Sequence, residues 1–143
     1  MNRLEKITIV VVNYNSAAVI ESCLGSLADI DAVIVVDNAS GDDSVERLRS
    51  IRPDAKIIQN DDNLGYGMAA NQGFARVKTP YALLINPDAV LTPQAIEILI
   101  VTAETFGNAG IIAPLLFSPK RGLELEVKGP NERTQSRMNE EPA

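Results

Sequence analysis

Apolar residues along the chain fall into five short runs separated by polar breaks. Two of the runs, ITIVVV and AVIVV, are unbroken and rich in β-branched residues, which is typical of strands buried on both faces of a parallel sheet. YALLI is a third run of this kind, and the remaining two are weaker or shorter. The pattern predicts five strands, at residues 7–12, 32–36, 55–59, 81–85 and 111–113.

Between these runs, apolar residues recur at helical spacing. Three N-terminal signals support the helices: Ser16 before the first, Asp43 with Glu46 as a capping box for the second, and Thr92 before Pro93 for the last. Strands and helices then alternate, which predicts an α/β fold with a mostly parallel sheet, right-handed crossovers and helices on both faces. The helices are expected at about 19–27, 45–51, 67–77 and 93–107.

The periodic pattern stops near residue 117. We therefore expect one domain over residues 1–117 and an irregular or disordered tail over 118–143. A tail of this kind is also what a fragment of structure would look like if its packing partner were missing, and the sequence leaves both explanations open.

Composition narrows the possible functions. The net charge is -6, from 13 basic and 19 acidic residues with no basic cluster, which argues against a nucleic-acid binder. No apolar run reaches the roughly 18 to 20 residues that a membrane span needs, and the start does not resemble a signal peptide. With a single cysteine, Cys23, these features predict a cytoplasmic protein without disulfides.

The chain contains no histidine, and this limits its chemistry. Nucleophilic mechanisms that use a Ser-His-Asp or Cys-His pair cannot be assembled from its residues. A bound metal would have to rest on oxygen ligands, which favours Mg²⁺ or Mn²⁺ over zinc.

Polar clusters follow three of the predicted strands: NYNS, DNAS and NPD. Because ligands bind beyond the carboxyl ends of parallel strands, these clusters predict a binding site at that edge of the sheet. Asp88 of NPD can coordinate a divalent cation, although a turn held by Asn86 and Asp88 is an equally good explanation. Asp37 can accept hydrogen bonds from a base or ribose, although DNASGDD is just as typical of a helix-capping turn. Asp42 and Asp43 are assigned to capping.

The segment NLGYGMAANQG enters the third predicted helix and carries a more specific signal. Gly65 and Gly67 allow close backbone approach, and the helix N-terminus just after them offers N–H groups to an anion. Small residues in the helix, Gly73 among them, predict tight packing against the sheet. A loop entering a packed helix would explain the glycines, but it would leave Asn71 without a reason.

VVNYNS, VVDNASGDDS, NLGYGMAANQG and LLINPDAV, in this order and spacing, resemble the family 2 glycosyltransferases over about residues 7–117. The rhamnosyltransferase-like branch is the most similar in character. The resemblance implies a GT-A fold, which is Rossmann-like, and transfer of a sugar from a nucleotide diphosphate to an acceptor hydroxyl with inversion. It implies a UDP- or dTDP-sugar as donor and a glycan or lipid-linked acceptor, with attachment to the inner membrane face as an open alternative to a purely cytoplasmic location.

The resemblance also assigns residues by position. It places donor or nucleotide contacts at Asn13, Asn15, Asp37, Gly65 and Asn71, with Asp37 at the base. It makes Asp88 the metal-binding carboxylate of a DxD-type motif, holding Mg²⁺ or Mn²⁺.

The sequence departs from the family pattern in two ways that affect these residue assignments. Asn86 stands where many relatives carry the first aspartate, so coordination would rest chiefly on Asp88. Relatives also continue well beyond this length and carry the catalytic base and acceptor site there, so we assign no general base and expect a truncated transferase. A non-catalytic nucleotide-sugar-binding module is the alternative, and a partner-binding domain with a degenerate site is a third.

Overall fold

The computed structural model describes residues 2–114, together with the backbone of 116–118 and 122–124. A short 3₁₀ helix, Arg3–Lys6, precedes the first strand. The elements that follow are β1 (Ile7–Asn13), α1 (Ile20–Gly25), β2 (Val33–Asp37), α2 (Ser44–Ile51), β3 (Lys56–Gln59), α3 (Tyr66–Phe74), β4 (Tyr81–Ile85), α4 (Pro93–Thr105), β5 (Leu116–Ser118) and β6 (Gly122–Glu124).

The first four strands form one parallel sheet in the order β3-β2-β1-β4. Every residue of β1 is buried, as expected for a central strand of apolar, β-branched residues. The chain moves outward from β1 to β2 and β3, then crosses back to place β4 on the other side of β1. The direction of winding therefore reverses between β1 and β4, and such a switch point is where open α/β sheets bind ligands.

Helices cover both faces of the sheet, as the alternating pattern predicts. Odd-numbered positions of β1, such as Ile9 and Val11, belong to a core cluster that includes buried residues of α1, α2 and α4. On the opposite face, Val12 of β1 packs in a second cluster with Ala69 and Ala70 of α3. The alternation along β1 follows from the period of two in a strand.

The small residues of α3 allow it to lie close to the sheet. A Cβ built on Gly73 would lie 2.4 Å from Cγ1 of Val10 and 3.3 Å from Cγ2 of Val36. Since carbon atoms pack at about 3.5–4.0 Å, a larger residue at this position must push the helix outward. The predicted packing role of Gly73 is confirmed.

Some local predictions are wrong. Residues 111–113 do not form a strand, and Ile111 is 93% exposed, so this apolar segment has no strand to pair with in the described part of the chain. Ser16, the expected N-cap of α1, instead donates a hydrogen bond from its hydroxyl to the Asn13 side chain, and α1 begins only at Ile20. Asp43 occupies the N-cap position of α2 without a side-chain capping bond.

The remaining caps are settled by local hydrogen bonds. The Asp43 carboxylate pairs with the Arg47 side chain at 3.0 Å, whereas the Asp42 carboxylate accepts from the Ser44 N–H at 3.1 Å. Of the two aspartate side chains, only that of Asp42 therefore bonds a main-chain N–H at the start of α2. Thr92 caps α4 as predicted, accepting from the Ala95 N–H at 3.1 Å.

The chain divides into two units, Met1–Ile112 and Ala113–Ala143. In the second unit, β5 and β6 pair antiparallel, with Leu116 opposite Glu124. The predicted boundary at residue 117 remains a prediction, and most of the expected tail lies outside the described residues. None of the helices within the described ranges combines the length and the apolar character required to cross a membrane.

Candidate functional site at the carboxyl edge of the sheet

Three strands end at one edge of the sheet, and each is followed by a polar loop. Asn13 closes β1 and Asp37 closes β2, and the two residues lie directly opposite each other in the register. Val11 of β1 pairs with Ile85, the last residue of β4, so the Asn86-Pro87-Asp88 turn begins beside the end of β1. The topology therefore brings the three predicted polar clusters to the switch point.

Asn13 is the centre of a buried network. Its side chain is fully buried, and the two N–H groups of its Nδ2 are shared among three acceptors: Asp37 Oδ1 at 2.7 Å, Ser44 Oγ at 2.9 Å and Ser40 Oγ at 3.1 Å. The Ser16 hydroxyl donates to the side-chain Oδ1 of Asn13. Every polar atom of this side chain thus has a partner, which is what a buried amide requires.

Asp37 is also buried, at 2% exposure. Its Oδ1 accepts from the Ser40 hydroxyl at 2.6 Å in addition to Asn13, and its Oδ2 accepts from the Ser40 N–H at 3.3 Å. The capping-turn alternative is therefore realised in part, because this carboxylate holds the DNAS loop together. Its contact with a nucleotide base remains a prediction.

Hydrogen bonds join the NYNS loop (residues 13–16) to the DNAS loop (residues 37–40) and the Gly41 that follows it, and we call this joined pair of loops the rim. Asn15 adopts a left-handed backbone with φ 50°, which asparagine tolerates better than most residues. Its N–H donates to Ser40 Oγ at 3.0 Å, and its Oδ1 accepts from the Gly41 N–H at 2.7 Å. Ala39 also has a positive φ, 66°. The predicted site residues Asn13, Asn15 and Asp37 thus belong to one bonded unit.

Sequence reasoning missed a second network of amides, centred on Asn38. This residue is 2% exposed, and its Nδ2 donates to Asn63 Oδ1 at 2.7 Å. Its Oδ1 accepts from the Asn60 amide at 3.1 Å and from the Leu64 N–H at 3.0 Å. Asn60 in turn exchanges two hydrogen bonds with Gln72 of α3, at 2.8 and 3.0 Å.

This second network fixes the entry to α3. Asn63 Oδ1 accepts from the Gly65 N–H at 2.9 Å, and Gly65 has φ 83°, a conformation that favours glycine. Asn38 is the neighbour of Asp37, so the network ties the predicted residue Gly65 to the rim. These amide residues are visible in the sequence, but their pairing requires the tertiary structure.

Asn71 stands apart from these networks. It is exposed on the side of α3 opposite Ala69, Ala70 and Gly73, and its side chain makes no hydrogen bond with the residues that the structure describes. Solvent satisfies an amide in this position, so the fold itself does not require an asparagine there. Its predicted role in donor binding is untested by the fold.

The Asn86-Pro87-Asp88 turn carries the predicted metal ligand. Asp88 is exposed, and within the described ranges no three Cys, Asp or Glu side chains cluster as a metal site. Mg²⁺ is commonly held by one or two carboxylates together with substrate phosphates, so the exposed Asp88 carboxylate fits that coordination. Burial, together with the negative charge of Asp88, raises the pKa of the Cys23 thiol to about 11.

The sequence profile described as "Glycosyl transferase family 2" matches residues 8–139, which is most of the chain. The chain belongs to glycosyl transferase family 2. This confirms the resemblance drawn from the four motifs.

The chain is similar to several curated proteins. The teichoic acid poly(glycerol phosphate) polymerase of Staphylococcus epidermidis is 30% identical over 121 residues, covering 78% of this chain and 16% of that protein. The N-acetylglucosaminyl-diphospho-decaprenol L-rhamnosyltransferase of Mycobacterium tuberculosis is 26% identical over 126 residues, covering 78% of this chain and 41% of that protein. This family member therefore spans less than half the length of either relative.

Solved structures share the fold, which is GT-A as expected. TarS of S. aureus in complex with UDP-GlcNAc superposes with a TM-score of 0.64 at 23% identity, over 71% of this chain and 32% of that one. Glucosyl-3-phosphoglycerate synthase of Mycobacterium tuberculosis in complex with Mn²⁺ and UDP-glucose gives a TM-score of 0.58 at 26% identity, over 73% and 40%.

Proposed function

We propose that this chain binds a UDP- or dTDP-sugar at the carboxyl edge of its sheet and forms the donor-binding half of an inverting glycosyltransferase. The observation that carries the proposal is the meeting of three polar loops at the switch point between β1 and β4, two of them joined by buried hydrogen bonds. The relatives named above support it, because the synthase structure contains UDP-glucose with Mn²⁺.

Charge is the reason for including a divalent cation. The chain has a net charge of -6, and a nucleotide diphosphate is itself an anion. Asp88 would supply the protein ligand to Mg²⁺ or Mn²⁺, with the phosphates completing the coordination. A cation at this place offsets the repulsion and stabilises the diphosphate as a leaving group.

The reaction would proceed by direct displacement. The acceptor hydroxyl oxygen forms a bond to the anomeric carbon while the bond to the diphosphate breaks, and the hydroxyl proton passes to a general base. The rigid rim built on Asn13 and Asp37 would hold the donor still during this step, since its loops are fixed by buried hydrogen bonds rather than by the ligand. We assign no residue as the base.

Binding and its metal dependence can be measured by calorimetric titration of UDP and dTDP with and without Mn²⁺. We expect binding that needs Mn²⁺ and that is lost in Asp88→Ala. Asp29→Ala is a matched control, because Asp29 is an exposed aspartate that precedes β2, far from the carboxyl edge. Tight binding that ignores both the metal and the Asp88 substitution would refute the cation model.

Asn71→Ala tests the predicted contact on α3. Because the side chain is exposed and has no hydrogen bond within the described part of the chain, the free energy of unfolding should stay within about 0.5 kcal/mol of wild type. Donor affinity should fall. An unchanged affinity would remove Asn71 from the site and leave the remaining contacts at Asn13, Asn15, Asp37 and Gly65 in the proposal.

The alternative is a module that binds a nucleotide sugar without transferring it, and it is worth testing because the chain spans 41% of the rhamnosyltransferase. Donor hydrolysis and transfer assays with a soluble glycan and with a lipid-linked acceptor separate the two functions. Sugar transfer supports the enzyme, and the productive acceptor identifies its class. Metal-dependent binding with neither hydrolysis nor transfer supports the binding module. Fractionation of the expressing cells would test the expected cytoplasmic location against attachment to the inner membrane face.

A further inference from the structure

Asn86, the residue directly after β4, is contacted from both faces of the sheet. From α3 on one face, the Tyr66 hydroxyl donates to Asn86 Oδ1 at 3.0 Å. From α1 on the other face, the Cys23 thiol donates to the Asn86 main-chain carbonyl at 3.7 Å. The same carbonyl accepts from the Ala89 N–H at 3.1 Å, which closes the turn. The start of the Asn86-Pro87-Asp88 turn is therefore held by both helical layers.

The hydrogen bond from Tyr66 decides which end of the Asn86 amide is free. Its carbonyl oxygen is occupied by the tyrosine hydroxyl, whereas its Nδ2 makes no hydrogen bond with the described residues, and the side chain is exposed. An amide nitrogen carries two donors and no acceptor. The group offered to a ligand is thus a hydrogen-bond donor suited to a phosphate or ribose oxygen.

The position of the tyrosine is itself fixed by the site. Tyr66 begins α3 directly after Gly65, whose N–H is bonded to Asn63, and Asn63 is bonded to the buried amide of Asn38. A continuous path of hydrogen bonds and one peptide link therefore runs from the end of β2 to the end of β4. An isolated surface pair of Tyr and Asn would have no such support on its tyrosine side.

We propose that the Tyr66 hydroxyl is a positioning group that orients the Asn86 amide so that its NH₂ donates to an oxygen of the bound nucleotide diphosphate, leaving cation coordination to Asp88. This inference rests on the proposed function. Tyr66 acts only through Asn86 and does not contact the ligand through its hydroxyl. The asparagine at the first position of the motif is thus a donor to the ligand rather than a weakened metal ligand.

The test is a double-mutant cycle on UDP affinity at saturating Mn²⁺, measured with the full chain. Tyr66→Phe should weaken UDP binding by about three- to tenfold, the range of a single hydrogen bond, and Asn86→Ala should weaken it at least as much. In the Asn86→Ala background, Tyr66→Phe should have no further effect. A merely structural role for the hydroxyl would not produce this coupling.

Tyr81→Phe is the matched control, because Tyr81 is the first residue of β4, at the end of that strand opposite to Asn86. Thermal unfolding of each variant verifies that it is folded. Wild-type affinity in Tyr66→Phe, or a loss that simply adds to that of Asn86→Ala, would overturn the inference and leave the proposed function intact. Failure of the wild-type protein to bind UDP with Mn²⁺ would overturn the proposed function, and the inference with it.

Discussion

Replacing Gly73 by alanine should destabilise the protein even though alanine is the better helix former. The new methyl group would lie 2.4 Å from Cγ1 of Val10 and 3.3 Å from Cγ2 of Val36. Val10 and Val36 are fully buried in β1 and β2, the two middle strands of the sheet, and their β-branched side chains are stiff at χ1, so they do not turn aside easily. Helix α3 must therefore move away from the sheet by roughly 1 Å to restore ordinary contact.

The expected magnitude is the difference between two effects. Overpacking a buried site costs about 1–3 kcal/mol, and the gain in helix propensity from glycine to alanine returns at most about 1 kcal/mol. The net loss for Gly73→Ala should be about 1–2 kcal/mol, a sizeable part of the roughly 5–15 kcal/mol that stabilises a typical domain. For a domain of this size, the Tm should fall by about 4–10 °C.

Gly67→Ala in the same helix is the control. A Cβ at Gly67 has no neighbouring atom within 4 Å, so only the propensity gain applies and stability should be unchanged or rise by up to about 1 kcal/mol. Urea unfolding followed by circular dichroism measures both variants. If Gly73→Ala is as stable as Gly67→Ala, the close contact between α3 and the sheet is not as tight as the structure implies, and the reasoning is refuted.

Three further predictions concern single residues. Ala39→Gly should raise the free energy of unfolding by about 0.5–1 kcal/mol in denaturant titrations, because glycine relieves the left-handed backbone at φ 66°; a destabilised variant would contradict this. Arg52→Ala should lower the free energy of unfolding by about 2–4 kcal/mol, because the buried guanidinium donates to the main-chain carbonyls of Leu27 at 2.7 Å and Ile30 at 2.8 Å. A variant as stable as wild type would refute that role. The pKa of Cys23 is raised from 9.0 to about 11, so the folded protein holds the thiol proton more tightly than the unfolded chain does. The protonated thiol therefore contributes fully to stability below about pH 9, and this contribution falls as the pH rises towards 11. Between pH 8 and 10.5, the free energy of unfolding should fall less for Cys23→Ala than for wild type. Identical losses in the two proteins would argue against the raised pKa.

The order of strands and helices follows directly from the sequence pattern. A central strand such as β1 is apolar at every position because both of its faces are covered, and Thr92 followed by Pro93 marks a helix start with local chemistry alone. The four motifs likewise identify the family, because each is a short run of residues with fixed spacing. Signals of this kind need no knowledge of the neighbours in space.

The errors have the opposite origin. Residues 111–113 have the composition of a strand, but a strand exists only where another strand pairs with it. Ser16 has the chemistry of a cap, yet its hydroxyl bonds to Asn13 instead. In the first case no partner strand is present among the described residues, and in the second the buried Asn13 side chain takes the hydroxyl that could have capped the helix.

The candidate site shows the same division. The sequence placed polar residues after the right strands, and so it located the edge of the sheet at which they meet. It did not show that Asn13 and Asp37 would bond to each other across 24 residues of chain, that Asn38 would organise the entry to α3, or that Tyr66 would reach Asn86. Periodicity encodes burial, which depends on each residue and its near neighbours, whereas the partner of a hydrogen bond depends on which distant loops the packed sheet brings within about 3 Å.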